Sequence, residues 1–300
     1  MTRAVGRLLT AMVTPFTEDG AVDEPRCGEL ARALLDSGSD GLVLTGTTGE
    51  CPALSIEEQI GVWRSVRAAV GEEALLVAGA STNSTQESLE MVEAGSGAGA
   101  DVLMLTVPYY NKPSQAGLRR HFEVLAGATS LPCILYNVPS RTAVNMTAET
   151  TAGLASVPNI VGIKEASGDL AQVAEIVERT RGTEFRVWSG NDADTLPLLA
   201  VGGYGVVSVA SHLVGRQIAS MIGAALAGRT EEAAAVHRRL APLVDVLFIE
   251  SNPAPVKFAL GEAGFDVGGL RLPLVPPSED SRARIRSELA RHRVDLPVPV

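Results

Sequence analysis

Residues 159–169 read NIVGIKEASGD. The run is apolar and β-branched and ends in a Ser-Gly-Asp turn, which predicts a buried strand that leads into a helix. Lys164 lies in the middle of that strand. Lysine is costly to bury, so a core strand seldom carries one. The stretch therefore predicts a core strand whose lysine has a special role.

The chain uses lysine sparingly. Lysine and arginine together number 25, and only three are lysines: Lys112, Lys164 and Lys257. Arginine stays protonated, whereas a buried lysine can lose its proton and become a nucleophilic amine. An ion pair with Glu165 is the alternative, but neighbours along a strand point to opposite faces. We interpret Lys164 as a Schiff-base lysine and expect Lys112 and Lys257 to face solvent.

Apolar runs of strand length recur along the chain and alternate with stretches of helical period. Several helices have N-cap signals: Ser55 with Glu58 three residues on, Ser114, and Asp169 after the Lys164 strand. Continuous apolar strands between helices are typical of a parallel sheet that is covered on both faces. The eight runs lie at 8–15, 41–48, 75–81, 102–108, 132–139, 160–167, 185–190 and 204–211.

Eight strand–helix units predict an α/β fold, the (β/α)₈ TIM barrel, over residues 1–227. An open doubly wound sheet is the rival, but no G-x-G-x-x-G follows the first strand. Residues 228–300 predict a C-terminal helical extension packed on the barrel, with helices at 231–250, 253–264 and 278–291. We expect the tail, residues 296–300, to be frayed.

Composition excludes several classes of protein. The chain has 300 residues, 46% hydrophobic and 20% charged, with no apolar run long enough to span a membrane and no signal-peptide pattern, so we expect a cytoplasmic location. Three cysteines and four histidines show no disulfide or metal-ligand spacing. A net charge of −10 argues against nucleic acid as a partner. An anionic substrate would need a local cation.

The chemistry of an imine-forming lysine needs a group that can shuttle protons. Functional side chains of a barrel gather at the C-terminal ends of its strands. Tyr136, on the strand before that of Lys164, shares parity with Ile134 and Val138, so we expect its hydroxyl to meet the amine. A core tyrosine bonded to backbone is the alternative.

Two other strand ends offer groups for a keto acid. Thr47 and Thr48 can pass protons or hold a carboxylate, although threonines of a glycine-rich turn can also serve only the backbone. Arg141 can clamp a carboxylate, although an exposed arginine is often merely solvated. Glu50 is expected to tie down its loop.

Together these residues resemble the pyruvate-dependent class I aldolase superfamily, which includes the dihydrodipicolinate synthase and N-acetylneuraminate lyase families. The similarity to the superfamily rests on residues 46–50 (GTTGE), 136–139 (YNVP) and 163–165 (IKE). The narrower similarity, to the dihydrodipicolinate synthase family, rests on residues 108–113 (PYYNKP), 138–142 (VPSRT), 252–257 (NPAPVK) and 270–273 (LRLP). It spans nearly the whole chain.

The resemblance implies a function. Lys164 forms an imine with pyruvate and needs no cofactor or metal. Tyr136, Thr48 and Tyr110 form a proton relay, with Tyr110 reaching in from the neighbouring subunit of a homotetramer that is a dimer of dimers.

The resemblance also implies how substrates bind. Thr47, Thr48 and the backbone near Val207 hold pyruvate, and Arg141 holds the carboxylate of L-aspartate-4-semialdehyde. The product is 4-hydroxy-tetrahydrodipicolinate, in lysine and diaminopimelate biosynthesis.

Two alternatives and one departure accompany this interpretation. A retro-aldol lyase acting on a sugar acid would replace Arg141 with hydroxyl binders, and a non-catalytic keto-acid sensor would not need Lys164. Lysine-regulated members tend to carry histidines just after the Gly-Thr-Thr-Gly-Glu loop, but residues 51–59 contain none. Although Asn83, Glu87 and Tyr109 could still line such a site, we expect weak or no inhibition by lysine. Strong inhibition in assays with millimolar lysine would contradict this.

Overall fold

A computed structural model describes residues 4–297 of the chain. Within these residues eight parallel strands close into a barrel in chain order, and β1 pairs with β8 through Leu9 and Val207. The closure confirms the predicted (β/α)₈ barrel and excludes the open sheet. The strands are β1 Leu8–Ala11, β2 Gly41–Leu44, β3 Leu75–Gly79, β4 Val102–Thr106, β5 Cys133–Asn137, β6 Ile160–Glu165, β7 Arg186–Ser189 and β8 Gly205–Ser208.

Helices connect the strands and continue beyond β8. The predicted caps are present: Ser55 and Glu58 form a capping box, and Ser114 and Asp169 each accept a backbone N–H at the start of their helices. No helix among the described residues combines the length and hydrophobicity needed to cross a bilayer. The helices are α1 Glu24–Asp36, α2 Ile56–Val70, α3 Thr85–Gly97, α4 Gln115–Gly127, α5 Pro139–Thr142, α6 Ala148–Leu154, α7 Leu170–Arg179, α8 Thr195–Ala200, α9 Ser211–Leu226, α10 Thr230–Leu247, α11 Ala254–Glu262 and α12 Glu279–Leu289.

The C-terminal helices α10, α11 and α12 pack on one another, and α10 and α11 also contact α9. The boundary that we placed after residue 227 falls in the turn between α9 and α10. The expected fraying of residues 296–300 is wrong for Leu296, which is buried. The N–H of Asp295 donates to the carbonyl of Leu213, which docks this segment on α9. Residues 298–300 lie outside the described residues.

The strands are shorter at their C-terminal ends than the apolar runs predicted. The run at 41–48, for example, ends as a strand at Leu44, and Thr45 adopts a left-handed conformation with φ of 48°. Such a backbone leaves the sheet, which lets the following residues form a loop above the barrel. The apolar pattern alone did not reveal where each strand ends and its loop begins.

Side chains fill the barrel interior below Lys164. Trp188 is fully buried, and a Cβ added to Gly162 would lie 2.5 Å from its Cζ3 atom. Glycine at 162 therefore allows the indole ring to close the barrel below Lys164.

A buried histidine joins the ends of β1 and β8. Nδ1 of His212 donates to the carbonyl of Val209 at 2.8 Å, and Nε2 accepts from the N–H of Val13 at 3.2 Å. These two bonds require the neutral ring, because the protonated form could not accept from Val13. Burial lowers the pKa of His212 to about 4.

We expect His212 to destabilise the fold as the pH falls. The unfolded chain takes up a proton near pH 6.5, whereas the folded chain resists protonation down to about pH 4. Stability is therefore lost between these two values, by up to about 3 kcal/mol. Urea unfolding at pH 7 and pH 4.5 would measure the loss. In His212→Gln, which keeps an acceptor for Val13, the loss should be smaller by most of that amount. An equal loss in both proteins would contradict the prediction.

Candidate active site

Lys164 and Tyr136 meet inside the barrel. They are register partners on β6 and β5, and Nζ of Lys164 lies 4.1 Å from the centroid of the Tyr136 ring. Both side chains are buried, and Tyr136 belongs to the interior cluster with Ile134 and Val138. The structure therefore brings the ring of Tyr136 and the amine of Lys164 together inside the barrel, and the role of the hydroxyl stays a prediction.

The surroundings of Lys164 favour a reactive amine. Burial lowers its pKa to about 8. The negative charge of Asp192 raises the pKa, and the positive charge of Arg141 lowers it further. A lysine with a pKa near 8 is neutral in an appreciable fraction of molecules at neutral pH, as nucleophilic attack requires.

The hydroxyl of Tyr136 is protonated at neutral pH. Burial raises its pKa to about 12, while the charge of Arg141 and a hydrogen bond with Thr47 oppose the rise. The hydroxyl of Tyr136 thus interacts with Thr47, and the place of Thr48 in the proton relay stays a prediction. A protonated phenol in contact with a second hydroxyl can donate one proton and receive another.

Thr48 is held from the C-terminal extension. Its hydroxyl oxygen is buried and accepts a hydrogen bond of 2.8 Å from Nδ2 of Asn252. The hydroxyl proton is therefore directed away from Asn252 and can be donated to a bound anion. The sequence analysis used Asn252 only as part of the motif at 252–257 and did not place it beside Thr48, from which it lies 204 residues away.

Glu50 and Lys257 form a buried ion pair beneath the same loop. Nζ of Lys257 lies 2.6 Å from Oε1 of Glu50 and donates to the carbonyl of Gly269 at 2.8 Å. The other oxygen of Glu50 accepts from the N–H of Arg271 at 3.1 Å. Glu50 thus ties down its loop, as predicted. The expectation that Lys257 faces solvent was wrong, because its partner lies about 200 residues away in sequence.

We expect Lys257→Met to lower stability strongly. Removing the cation leaves Glu50 buried without its counter-charge, which costs about 3–5 kcal/mol. Urea or thermal unfolding measures the change. Lys112→Met is the matched control, since Lys112 is exposed, and it should change stability by less than about 0.5 kcal/mol. Equal effects of the two substitutions would contradict the buried pair.

Arg141 stands at the rim of the barrel. It lies exposed in α5, directly after β5, and its charge acts on Lys164 and Tyr136. No ion pair with Arg141 is present among residues 4–297, which leaves its guanidinium available to an anion. This supplies the local cation that the net charge of −10 requires for an anionic substrate.

A polar network fixes the ends of the Arg141 loop. On the outer face of the barrel, Nδ2 of Asn137 donates to both oxygens of Glu165 at 3.1 and 3.0 Å. Oδ1 of Asn137 accepts from the N–H of Met146 at 3.0 Å, and Gln172 donates to Glu165 at 3.2 Å. As predicted, Glu165 does not pair with Lys164. It instead helps to hold the segment that presents Arg141.

The structure does not bring Tyr110 to Lys164. Tyr110 is 89% exposed in the loop after β4, with a left-handed φ of 73°. Its neighbour Tyr109 is 36% exposed. Two exposed tyrosines on a protruding loop form an apolar surface outside their own barrel mouth.

The end of β8 completes the wall of the site. Val207 is buried in the barrel interior beside Leu9. Next to it lies Asp192, a buried carboxylate that accepts hydrogen bonds from the N–H groups of Val209 and Ala210 and from the hydroxyl of Ser208. The sequence interpretation gave Asp192 no role, although its place after β7 marked it as a residue of the barrel mouth.

Metal ligation has no candidate in the part of the chain that the structure describes. No group of three or more histidine, cysteine or acidic side chains there could hold a metal ion. Burial raises the pKa of each cysteine thiol, Cys27, Cys51 and Cys133, to about 12. The three thiols are therefore protonated at neutral pH, and a protonated thiol is a poor nucleophile.

Comparison with known proteins agrees with this geometry. A model of the Dihydrodipicolinate synthetase family matches residues 4–292. The chain is 55% identical over 296 residues, 99% of both chains, to the 4-hydroxy-tetrahydrodipicolinate synthase of Dehalococcoides mccartyi strain CBDB1.

Two solved structures have nearly the same fold. The dihydrodipicolinate synthase of Cyanidioschyzon merolae with lysine bound is 44% identical, with a TM-score of 0.93 over 95% of this chain and 97% of that one. The enzyme of Acinetobacter baumannii complexed with pyruvate is 37% identical, with a TM-score of 0.93 over 96% and 99%. The chain described here belongs to the dihydrodipicolinate synthetase family.

Proposed function

We propose that the chain condenses pyruvate with L-aspartate-4-semialdehyde to give 4-hydroxy-tetrahydrodipicolinate, the reaction of its curated relatives, through an imine on Lys164. The observation that carries the mechanism is a buried lysine inside the barrel, with a pKa of about 8 and its amine 4.1 Å from the centroid of a tyrosine ring. Arg141 supplies the cation that a carboxylate-bearing aldehyde needs, which favours this reaction over cleavage of a sugar acid.

The first half of the reaction builds a nucleophile from pyruvate. The neutral amine of Lys164 attacks the keto carbon, and the carbinolamine loses water to give a protonated imine. Tyr136 and Thr47 carry protons to and from the departing oxygen. Loss of a methyl proton then sends its electron pair toward the imine nitrogen and leaves an enamine. The protonated imine is the electron sink, so the chemistry uses no cofactor.

The second half forms the ring. The enamine carbon attacks the aldehyde, whose oxygen takes up a proton and becomes the 4-hydroxyl group. The amine of the adduct then attacks the imine carbon, closes the ring and releases Lys164. Thr47, Thr48 and the backbone near Val207 hold the pyruvate carboxylate, and Arg141 clamps the carboxylate of the aldehyde substrate bidentately.

The proposal extends to assembly and location. We infer a homotetramer, a dimer of dimers, in which the exposed Tyr110 of one subunit reaches the barrel mouth of its neighbour and joins the relay. Sedimentation velocity tests the assembly, and a monomer that is fully active would exclude this role for Tyr110. We place the enzyme in the cytoplasm, as its biosynthetic reaction suggests.

Borohydride reduction in the presence of pyruvate tests the mechanism. Hydride fixes the imine as a stable secondary amine, and peptide mass mapping locates it. We expect the adduct on the peptide that holds Lys164, and none when pyruvate is omitted. An adduct on Lys112 or Lys257, or no adduct at all, would contradict the proposal. A panel of aldehydes with and without a carboxylate then tests the substrate.

A further inference from the structure

Asp192 is a buried carboxylate whose hydrogen bonds come from neutral groups. It is 7% exposed and lies just after β7. One oxygen accepts from the hydroxyl of Ser208, and the other accepts from the N–H groups of Val209 at 2.9 Å and Ala210 at 3.3 Å. Burial raises the pKa of Asp192, and these donors oppose that rise because they favour a negative charge at a fixed position beside the end of β8.

This carboxylate has no cation of its own. Among the described residues it forms no ion pair, whereas the other buried acid at the barrel mouth that faces the extension, Glu50, is paired with Lys257. Burying a charge without a counter-charge is costly, and its replacement by a neutral group is often stabilising. The fold therefore retains at Asp192 a negative charge that stability alone does not require.

The nearest cation that the chemistry creates is on Lys164. β6 and β7 pair at Lys164 and Trp188, and a Cβ added to Gly190 would lie 3.2 Å from Cε of Lys164. Asp192 is two residues beyond this point of contact. The negative charge of Asp192 raises the pKa of Lys164, whereas burial and the positive charge of Arg141 lower it. For a resting amine this influence is unfavourable, because it favours the protonated, unreactive form.

The same influence is favourable once the imine has formed. We propose that Asp192 is the buried counter-charge of the protonated imine between Lys164 and the keto acid. This inference rests on the function proposed above. A neutral imine is a weak electron sink, so the negative charge holds the proton on nitrogen until the methyl proton leaves and its electron pair neutralises the nitrogen. The negative charge of Asp192 thus makes the free amine less reactive and the imine more reactive.

Other charged groups surround this pair. The charge of Arg141 at the barrel rim and the ring of Tyr136 act on Lys164 from the side of β5. His237 and Asp245 of α10, with Asp194, line the cavities on the outer side of Asp192. None of these side chains is itself replaced in the Asp192 variant below, so its difference from the wild-type protein reports the charge of Asp192.

Asp192→Asn is the decisive variant. Its amide keeps the size of the carboxylate, accepts from Val209 and Ala210 through oxygen and donates to Ser208 through nitrogen. Two opposite changes are expected. The acid limb of the pH profile of kcat/KM for pyruvate reports the pKa of the free Lys164 amine. It should move to lower pH by about one unit, because the negative charge that favours the protonated amine is lost. Exchange of the pyruvate methyl protons with deuterium, which reports enamine formation, slows at least about tenfold.

Glu165→Gln is the matched control. Glu165 is also a buried carboxylate without an ion pair, next to Lys164 in sequence but on the outer face of the barrel. Its replacement should leave the acid limb where it is in the wild-type protein. A merely structural role of Asp192 would lower activity without moving the acid limb, and that outcome would overturn the inference.

A measurement on the wild-type protein covers the case in which Asp192→Asn does not fold. With [2-¹³C]pyruvate, the ¹³C shift of the imine carbon reports its protonation. The bound imine should stay protonated at least about one pH unit higher than a solvent-exposed imine of pyruvate with a simple amine. Titration at or below the value of the free imine would overturn the inference. Failure of borohydride trapping on Lys164 would instead overturn the proposed function itself.

Discussion

Replacing Lys164 with arginine should abolish turnover while the barrel still folds. The guanidinium remains protonated at every accessible pH and cannot attack a carbonyl carbon. Removal of a covalent nucleophile should lower kcat by at least about 10⁴-fold, and borohydride should no longer attach pyruvate to the chain. A coupled assay of product formation and mass spectrometry of the reduced protein measure both effects.

Two controls separate chemistry from folding. Lys164→Met has a similar length and removes the buried charge, so it should fold and be as inactive as the arginine variant. Lys112→Arg makes the same substitution at an exposed position and should keep wild-type activity. Turnover within tenfold of wild type in Lys164→Arg would show that another residue is the nucleophile.

Tyr136→Phe should have the second largest effect on activity. The substitution keeps the ring that packs against Lys164 and removes only the hydroxyl that contacts Thr47. Loss of a positioned proton shuttle should lower kcat by about 10²–10³-fold. Imine formation should be slowed but not abolished, so pyruvate should still be trapped on Lys164 after long incubation with borohydride. Steady-state kinetics and the time course of trapping measure the two effects.

Tyr204→Phe is the matched control for this variant. Tyr204 lies at the opposite end of the barrel, where its hydroxyl donates to the carbonyl of Val5 at 3.1 Å. Tyr204→Phe removes the same atom at the end of the barrel opposite the site, so activity should be unchanged. A loss of less than about fivefold in Tyr136→Phe would exclude the phenol from the relay.

Much of the fold could be predicted because its determinants are local. Each strand–helix unit carries its own apolar run and its own cap, such as Ser55 with Glu58 or Asp169 after β6. The convergence of Tyr136 and Lys164 followed from the two-residue period of a strand and from the order of parallel neighbours. These properties need no knowledge of contacts between distant parts of the chain.

The predictions failed where a distant partner decides the environment of a residue. Lys257 has the local sequence of an ordinary helix, and its buried partners, Glu50 and the carbonyl of Gly269, are not evident from that sequence. The hydrogen bond from Asn252 to Thr48 likewise could not be predicted from the sequence, because the two residues lie 204 positions apart. Tertiary hydrogen bonds of this kind leave no periodic signal in the sequence.

The anchors of the Gly-Thr-Thr-Gly-Glu loop also affect how the protein is made. Thr48 accepts a hydrogen bond from Asn252, which lies 204 residues later in the chain, and Glu50 accepts one from the backbone N–H of Arg271, 221 residues later. A nascent chain on the ribosome can therefore build most strand–helix units before this loop has any of these supports. We therefore expect a chain that ends before Asn252 to lack the contacts that hold Thr48 and Glu50 in place.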